Sequence, residues 1–273
     1  LYPADLFRTL KDGAKVGVHA DHLYLDFSTI MQRMHALVDE DVKNMTAGVA
    51  ADDRITFYNT TGEFVDNYTL AVDDTKIKGE KILIASGSRP FIPPIEGLDT
   101  IPYWTSREVF SLKQPPESLV IVGGGYIAAE FAHFFTAVGT HVTILGRNPR
   151  LLPKEEPEIS ALVKKKMSEY CTIYTNTEVR QAYQEGSFKV LTGYNRATNQ
   201  PITVKAKAVL IAAGRRSNAD KLHPERTGVK TDKQGWIIVN EYLETSKKNI
   251  WAIGDAIGHL SLIHISEPTR PLY

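Results

Sequence analysis

The sequence predicts an α/β protein in which buried parallel strands alternate with helices. Two short apolar runs, 119–122 and 141–145, flank a helical pattern at 126–138, and a third apolar run follows at 206–213. Apolar runs of this length are typical of strands that are buried on both faces of a parallel sheet. The composition fits a folded globular chain, because 42% of the 273 residues are hydrophobic and 23% are charged.

The other elements follow from local periodicity. Apolar residues that recur every three or four positions predict helices, and short alternating runs bounded by turn residues predict strands. The elements predicted in this way are helices at 2–12, 27–49 and 157–170, strands at 55–57, 63–65, 68–72 and 81–85, and a β-meander over 176–205. Ser28 is a candidate cap for the second helix. We expect the apolar strand 81–85 to be buried on both faces.

The charge distribution argues against nucleic-acid and membrane partners. The chain has 32 basic and 32 acidic residues, and its densest basic run, 164–166, follows acidic residues on a predicted helix. That pattern is typical of a solvated helical face, whereas nucleic-acid binding needs a clustered basic field. The apolar runs are also too short or too interrupted by glycine and charge to span a bilayer.

Cys171 is the single cysteine of the sequence, so the chain cannot form an internal disulfide. This composition is typical of a reducing compartment, and we expect a cytoplasmic protein. We interpret Cys171 as a packed structural thiol rather than a reactive one.

The turn between the first two buried strands carries a nucleotide-binding pattern. It reads Gly123-Gly-Gly125-Tyr-Ile-Ala128, which is G-x-G-x-x-A placed after a strand and before a helix. In this context the pattern predicts a Rossmann-like βαβ unit over residues 118–150. Gly123 permits the tight turn, Gly125 lets a pyrophosphate approach the backbone, and Ala128 allows close packing of helix on strand. A glycine turn that binds nothing is the alternative.

The end of the second strand predicts which nucleotide is preferred. An NAD site usually places Asp or Glu there to bind the ribose 2′-hydroxyl, but this sequence has Gly146 followed by Arg147 and Arg150. Guanidinium groups suit a phosphate because they can donate two charge-assisted hydrogen bonds. We therefore predict a preference for NADPH over NADH, with exposed loop arginines that meet no ligand as the alternative.

Tyr126 and Glu130 lie one helical turn apart on the helix that follows the glycines. A carboxylate on such an apolar helix needs a cationic or hydrogen-bonding partner. A second reading is open, in which the positive end of the helix dipole stabilises Glu130.

Four segments together resemble a known family. They are 82–90, 123–130, 210–218 and 245–255. In order and spacing they are similar to the motifs of class I pyridine nucleotide–disulfide oxidoreductases, the group that includes dihydrolipoamide dehydrogenase and glutathione, mycothione and mercuric reductases. Ser86 and Ser217 depart from the usual Thr and Pro. The resemblance covers nearly all of residues 1–258 and implies two Rossmann-like dinucleotide-binding domains, one for FAD and one for NAD(P)H.

The resemblance also implies individual roles. The residues that it places at FAD are Gly62, Ser86, Gly87, Ser88, Gly254 and Asp255. Of these, Gly62 would approach the adenine end, and Asp255 would accept hydrogen bonds from the ribityl or pyrophosphate region. Taken alone, Gly254 and Asp255 would be interpreted only as a strand-end turn.

The same resemblance assigns the nicotinamide side. Gly214 and Arg215 would line the NAD(P)H site, Tyr126 would shield the flavin until the nicotinamide displaces it, and Glu130 would pair with a lysine upstream of Leu1. In domain terms, the resemblance implies an FAD-binding domain at 1–112 and 241–258, with its first part truncated, and an NAD(P)H-binding domain at 113–240.

Several family features are expected to lie outside this sequence. The first FAD glycine motif and the redox cysteine pair would precede Leu1, and Cys171 matches neither cysteine. The dimerisation domain with its His–Glu pair would follow, and His264 and Glu267 lack its surroundings. We therefore predict no catalytic residue in the chain itself. Residues 260–270 resemble a translated sequencing adapter, so 259–273 is predicted to be a non-native tail.

The resemblance implies an FAD-dependent oxidoreductase that moves a hydride between nicotinamide and FAD and exchanges electrons with a small-molecule or protein-bound disulfide or dithiol. A dihydrolipoyl dehydrogenase-like flavoprotein ranks first, and an NADPH-dependent mycothione- or mercuric-type reductase ranks second. A non-catalytic nucleotide-binding fragment is a third interpretation. Without a cysteine pair upstream, a relative of the flavin-dependent oxidases or NADH oxidases would be favoured. The resemblance implies that the parent protein is a homodimer.

Overall fold

The computed structural model describes residues 1–20 and 22–258. Within them the α-helices are α1 (Tyr2–Gly13), α2 (Phe27–Ala50), α3 (Tyr126–Ala137) and α4 (Pro157–Met167). Among these residues, no helix combines the length and apolar character needed to cross a membrane. The predicted tail at 259–273 lies outside the described residues.

The strands are numbered in chain order. They are β1 (Gly62–Asp66), β2 (Thr69–Val72), β3 (Thr75–Lys78), β4 (Ile82–Ile84), β5 (Ser88–Pro90), β6 (Ser118–Val122), β7 (His141–Leu145), β8 (Thr172–Tyr174), β9 (Thr177–Glu185), β10 (Phe188–Asn195), β11 (Pro201–Ala206), β12 (Ala208–Ile211), β13 (Arg215–Ser217) and β14 (Ile250–Ala252).

The chain forms two compact units. Among the described residues, the first comprises 1–44 and 90–214, and the second comprises 45–89 and 215–258. These limits differ from the predicted domains because α1 and the start of α2 pack on α3 in the first unit. The segment that contains Val229 and Ile237 joins the second core. The assignment of each domain to a cofactor stays a prediction.

The first unit is built on a parallel sheet in the order β12-β6-β7-β8. Helix α3 connects β6 to β7, as predicted, and these strands pair from Ser118 and His141 to Val122 and Leu145. Alternate residues of β6 enter two different cores. Leu119 and Ile121 face the helices, while Val120 and Val122 face the β-meander. Burial on both faces explains why these strands are apolar throughout.

The β-meander of the first unit is confirmed. It runs β9, β10, β11 with antiparallel pairing throughout. The predicted turn at 195–199 is formed, and the backbone N–H of Asn199 donates to the carbonyl of Asn195 at 2.7 Å.

Helix α2 forms as predicted. The predicted cap residue was wrong, and the predicted apolar face is only partly buried. Asp26 rather than Ser28 caps the helix, because its carboxylate accepts hydrogen bonds from the backbone N–H and the hydroxyl of Thr29. The predicted apolar stripe is buried at Met31. Further along the helix, Leu37 and Val38 are half exposed.

The second unit contains an antiparallel sheet, β1-β2-β3, and two strand pairs, β4 with β14 and β5 with β13. Residues 55–57 were predicted to be a strand and do not form one. The prediction that strand 81–85 is buried on both faces was also wrong. Ile84 is buried, but Leu83 is 60% exposed because only one face of β4 packs against the core around Phe64.

Cys171 follows α4 and is partly buried. Its thiol donates to the carbonyl of Met167 at 3.2 Å. Burial raises the pKa of Cys171 to about 11. The thiolate is the reactive form, so the burial, the hydrogen bond to Met167 and the raised pKa all favour a structural thiol over a reactive one.

Candidate functional site

The turn between β6 and α3 requires glycine at its first position. Gly123 has a φ of +138°, and a Cβ atom there would lie 2.1 Å from the carbonyl oxygen of Ala212. Its backbone N–H donates to the carbonyl of Leu145 at 3.0 Å, which fixes the turn to the neighbouring strand. The protein itself therefore explains Gly123, and the predicted tight turn is present.

Gly125 requires a different explanation. Its φ of −93° suits any residue, and a Cβ atom there would meet no protein atom within 4 Å. Neither backbone strain nor packing within the described residues calls for glycine at this position. The open space lies at the start of α3, where the first backbone N–H groups have no partner within the helix. This is the surface that a pyrophosphate needs.

Close packing behind the turn positions α3. Ala128 and Ala132 are fully buried on the side of the helix that faces the sheet. Their small side chains let the helix approach the strands closely, as predicted for Ala128. Gly124 and Gly146 also approach each other, since a Cβ atom on Gly124 would lie 3.4 Å from the Cα atom of Gly146.

Tyr126, the first residue of α3, is half exposed, and its hydroxyl donates a hydrogen bond to the carboxylate of Glu155. This hydrogen bond raises the pKa of Tyr126, because it stabilises the protonated phenol. Glu155 was not predicted as a site residue, because it lies 29 positions further along the chain and belongs to no local motif with Tyr126.

Glu130 is exposed on α3. It lines an apolar groove of about 610 Å³ in the first unit, whose walls come mostly from α1, α2 and α3. Arg33 of α2 is also part of the lining. The structure thus places Glu130 on the wall of a groove, and its predicted pairing with an upstream lysine stays a prediction.

The predicted phosphate-binding arginines lie on the loop after β7. Arg147 and Arg150 are both exposed. The Nε atom of Arg147 lies 3.4 Å from a carboxylate oxygen of Glu178, at the start of β9. Arg196, which was not predicted, contacts the same oxygen at 3.4 Å. It lies 49 positions after Arg147, so no local pattern could have linked the two.

In the second unit, Ser88 and Asp255 come together with Arg215. The Ser88 hydroxyl donates to Asp255 Oδ2 at 2.7 Å and lies 2.6 Å from Arg215 Nε. Arg215 also donates to the backbone carbonyl of Ser88 and lies 3.3 Å from the carboxylate. Arg215, predicted at the nicotinamide site, therefore contacts two residues predicted at FAD.

The turn residues around this group include an unsatisfied hydroxyl. The Oγ atom of Ser86 is buried and has no hydrogen-bond partner within the described residues. Gly87 and Gly254 have positive φ values, and a Cβ atom on either would meet no other atom within 4 Å. Gly214, the last residue of the first unit, also has a positive φ, and a Cβ atom there would likewise meet no other atom within 4 Å. Gly62 differs, because a Cβ atom there would lie 3.3 Å from the side chain of Val72 on β2.

Arg89, which follows Ser88 on β5, forms an ion pair with Asp220. Arg89 donates to both carboxylate oxygens of Asp220, at 2.8 and 2.5 Å, and to the carbonyl of Ser217. These hydrogen bonds lower the pKa of Asp220 and raise the pKa of Arg89. The pair joins β5 to the 3₁₀ helix Ala219–Lys221, and the sequence reasoning missed it. Within the described residues, no cluster of three His, Cys, Asp or Glu side chains could hold a metal ion.

Comparison with known proteins identifies the family. The chain belongs to the pyridine nucleotide-disulphide oxidoreductase family, whose profile matches residues 11–268. Enzymes of this family use FAD and NAD(P)H. The predicted family and the α/β class with Rossmann-like units are thereby confirmed.

Three relatives illustrate the similarity. A mercuric reductase of Streptomyces lividans is 36% identical over 258 residues, which are 92% of this chain and 53% of that protein. A mycothione reductase of Mycobacterium tuberculosis is 31% identical over 272 residues, covering 97% and 58%. The structure of the HOCl-induced flavoprotein disulfide reductase RclA of Escherichia coli superposes with a TM-score of 0.82 at 29% identity, covering 98% and 58%. The chain spans about half the length of the curated relatives it matches.

Proposed function

We propose that this chain supplies the NAD(P)H site and part of the FAD site of an FAD-dependent disulfide reductase. The observation that carries the proposal is the open space over Gly125 at the start of α3. A glycine that the protein's own packing does not require, placed at a helix N-terminus above a parallel sheet, is explained by a ligand that must approach the backbone.

Different groups of the chain would bind different parts of the nucleotide. Backbone N–H groups at the start of α3 would bind the pyrophosphate, and Arg147 and Arg150 would favour a 2′-phosphate on the adenosine ribose. Tyr126 would cover the inner end of the site until the nicotinamide enters. Its hydrogen bond to Glu155 gives it a defined resting position on the surface of α3.

The residues present also fit FAD. The buried hydroxyl of Ser86 lacks a partner, and Gly87 and Gly254 leave open backbone beside Asp255. Ser86, Ser88 and Asp255 would hold the cofactor through hydrogen bonds, with Gly62 near its adenine end. When bound, the flavin supplies the acceptor for the nicotinamide hydride. The resemblance to the family implies that electrons would pass onward through a cysteine pair that does not belong to residues 1–273.

The relatives help to rank the electron acceptors. The mercuric and mycothione reductases, together with the arginines after β7, support an NADPH-dependent reductase acting on a disulfide or on Hg(II). The lipoamide-type activity that ranked first from sequence has weaker support, because an NAD enzyme would place an acidic residue where Gly146 stands. A cytoplasmic homodimer completes the proposal for the parent protein.

Isothermal titration of the purified chain with NADPH and NADH tests the proposal. We expect wild-type protein to bind NADPH, and we expect Gly125→Val to lose at least about tenfold in affinity, because its side chain fills the space that the pyrophosphate needs. Circular dichroism of Gly125→Val should match wild type. Failure of well-folded wild-type protein to bind either nucleotide would defeat the proposal, and it would equally exclude a non-catalytic nucleotide-binding fragment.

A further inference from the structure

Glu178 is the centre of an arginine cluster in the first unit. Its carboxylate lies 3.4 Å from Nε of Arg147, 3.4 Å from Nε of Arg196 and 2.9 Å from Nη2 of Arg180. The Glu178 side chain is only 17% exposed, whereas the three arginine side chains are between 41% and 69% exposed. The carboxylate is therefore covered by cations that themselves face solvent.

Backbone hydrogen bonds hold the cluster together independently of the ion pairs. Asn176 donates to the carbonyl of Asn148 at 2.8 Å, and Arg196 donates to the carbonyl of Asn176 at 2.6 Å. Nη1 of Arg196 also donates to the carbonyl of Arg147 at 3.3 Å. The loop after β7 and the turn after β10 are thus fixed to each other, and both guanidinium groups start from defined backbone positions.

The cluster has an excess of positive charge. Three guanidinium groups surround one carboxylate, so the four side chains carry a net charge of +2. Arg147 and Arg196 both approach Glu178 through Nε. Nη1 of Arg196 donates to the carbonyl of Arg147, whereas Nη2 of Arg196 and both terminal nitrogens of Arg147 make no hydrogen bond within the described residues. A guanidinium group uses such terminal nitrogens to donate charge-assisted hydrogen bonds to a phosphate.

The location of this charge defines its ligand. The cluster lies at Gly146, the end of the strand next to the nucleotide-binding turn, where a dinucleotide site recognises the adenosine ribose. We propose that Arg196 is a specificity-determining residue, which binds the 2′-phosphate of NADPH together with Arg147. This inference rests on the proposed function, because it requires that the first unit binds a nicotinamide dinucleotide.

A competing assignment makes the opposite prediction. Glu178 is an acidic residue near the end of β7, and its carboxylate could instead accept a hydrogen bond from an unmodified ribose 2′-hydroxyl, which would favour NADH. The arginine contacts argue against this role, because the carboxylate oxygens are already engaged by cations.

The experiment is isothermal titration of the full chain with NADPH and with NADH, for wild type, Arg196→Gln, Arg147→Gln and Glu178→Gln. Arg226→Gln is the matched control, because the Arg226 side chain is 42% exposed and pairs with Glu63 in the second unit. We expect Arg196→Gln and Arg147→Gln each to weaken NADPH binding by about tenfold, the range for a lost charge-assisted hydrogen bond, and to leave NADH binding unchanged. Arg226→Gln should change neither.

The outcomes distinguish a failure of the proposed function from a failure of the role proposed for Arg196. Wild type that binds neither nucleotide defeats the proposed function and, with it, the assignment of Arg196. Wild type that binds nucleotides, while Arg196→Gln lowers both affinities equally or neither, leaves the proposed function standing and overturns the role of Arg196. Loss of NADH affinity in Glu178→Gln supports the competing assignment and likewise overturns the proposal, whereas unchanged NADH affinity supports it.

Discussion

Glu178 in the first unit and Asp255 in the second are both carboxylates that contact arginine, yet their surroundings differ in charge. Three guanidinium groups share Glu178, whereas Asp255 contacts one arginine and one serine hydroxyl. The Asp255 side chain is also 54% exposed. The first group keeps a cationic excess and suits a phosphate, while the second is neutral and suits the hydroxyl groups of a sugar or ribityl chain. The net charge around each carboxylate thus distinguishes a site suited to phosphate from a site suited to hydroxyl groups. The presence of a carboxylate alone would not distinguish them.

A second difference concerns the glycines of the two regions. Gly123 is required by the fold of the first unit, whereas Gly87 and Gly254 in the second unit leave open space and are required only by their backbone angles.

The largest expected effect comes from Gly123→Ala. The new Cβ atom would lie 2.1 Å from the carbonyl oxygen of Ala212, in a conformation with a φ of +138°. Backbone strain and overpacking together should cost about 2–5 kcal/mol of stability. Thermal unfolding monitored by circular dichroism measures this loss. Gly125→Ala is the control and should unfold with wild-type midpoint, since its Cβ atom meets no other atom; equal midpoints for both variants would break the contrast.

A smaller effect is expected from salt. If the arginine cluster binds the 2′-phosphate, NADPH affinity should fall severalfold more than NADH affinity between low and physiological ionic strength, because the cluster is exposed and its field is screened within about 8 Å. Titrations at two salt concentrations measure this ratio. Parallel declines for both nucleotides would show that the cationic excess around Glu178 does not contact the ligand.

The ion pair of Arg89 with Asp220 in the second unit should make a pH-dependent contribution to the free energy of unfolding. The pKa of Asp220 is lowered in the folded protein by its hydrogen bonds to Arg89. Its stabilisation is therefore fully present above the ordinary aspartate pKa of about 4 and is lost as pH falls through the lowered value. Because Asp220 is partly exposed, Asp220→Asn should cost no more than about 1 kcal/mol at neutral pH.

Urea unfolding of wild type and Asp220→Asn at several pH values gives the comparison. The stability difference between the two proteins should shrink as the solution is made acidic. A difference that stays constant down to strongly acidic pH would contradict the assignment of this stabilisation to the charged carboxylate.

The smallest expected effect is the reactivity of the Cys171 thiol in the native protein. With its pKa raised to about 11, the folded protein should react slowly with a thiol-specific disulfide reagent at neutral pH and faster as the pH is raised. Denatured protein serves as the positive control and should react at once. Rapid reaction of the native protein at neutral pH would mean that the thiol is activated after all.

The sequence predicted local parts of the site well and distant parts poorly. Gly123, Gly125 and Ala128 could be interpreted because a single turn and its helix carry the whole pattern. Arg196 and Glu155 were missed because the meander and the loop before α4 bring them to the site from tens of residues away.

The fold shows the same division. The parallel strands of the first unit were predicted because burial on both faces leaves a continuous apolar run. The identical pattern at 81–85 gave a wrong prediction, since Leu83 is exposed on the uncovered face of β4. Similarly, the apolar stripe of α2 indicated a helix correctly but overstated its burial, because periodicity reports the shape of the helix and not what packs against it.

The most direct test is a crystal structure of the chain grown with NADP⁺. We expect the pyrophosphate to lie against the backbone N–H groups at the start of α3, over Gly125, with the 2′-phosphate between the terminal nitrogens of Arg147 and Arg196. A nucleotide bound away from Gly125, or one whose 2′-phosphate faces solvent while Glu178 contacts the ribose, would contradict this description of the site.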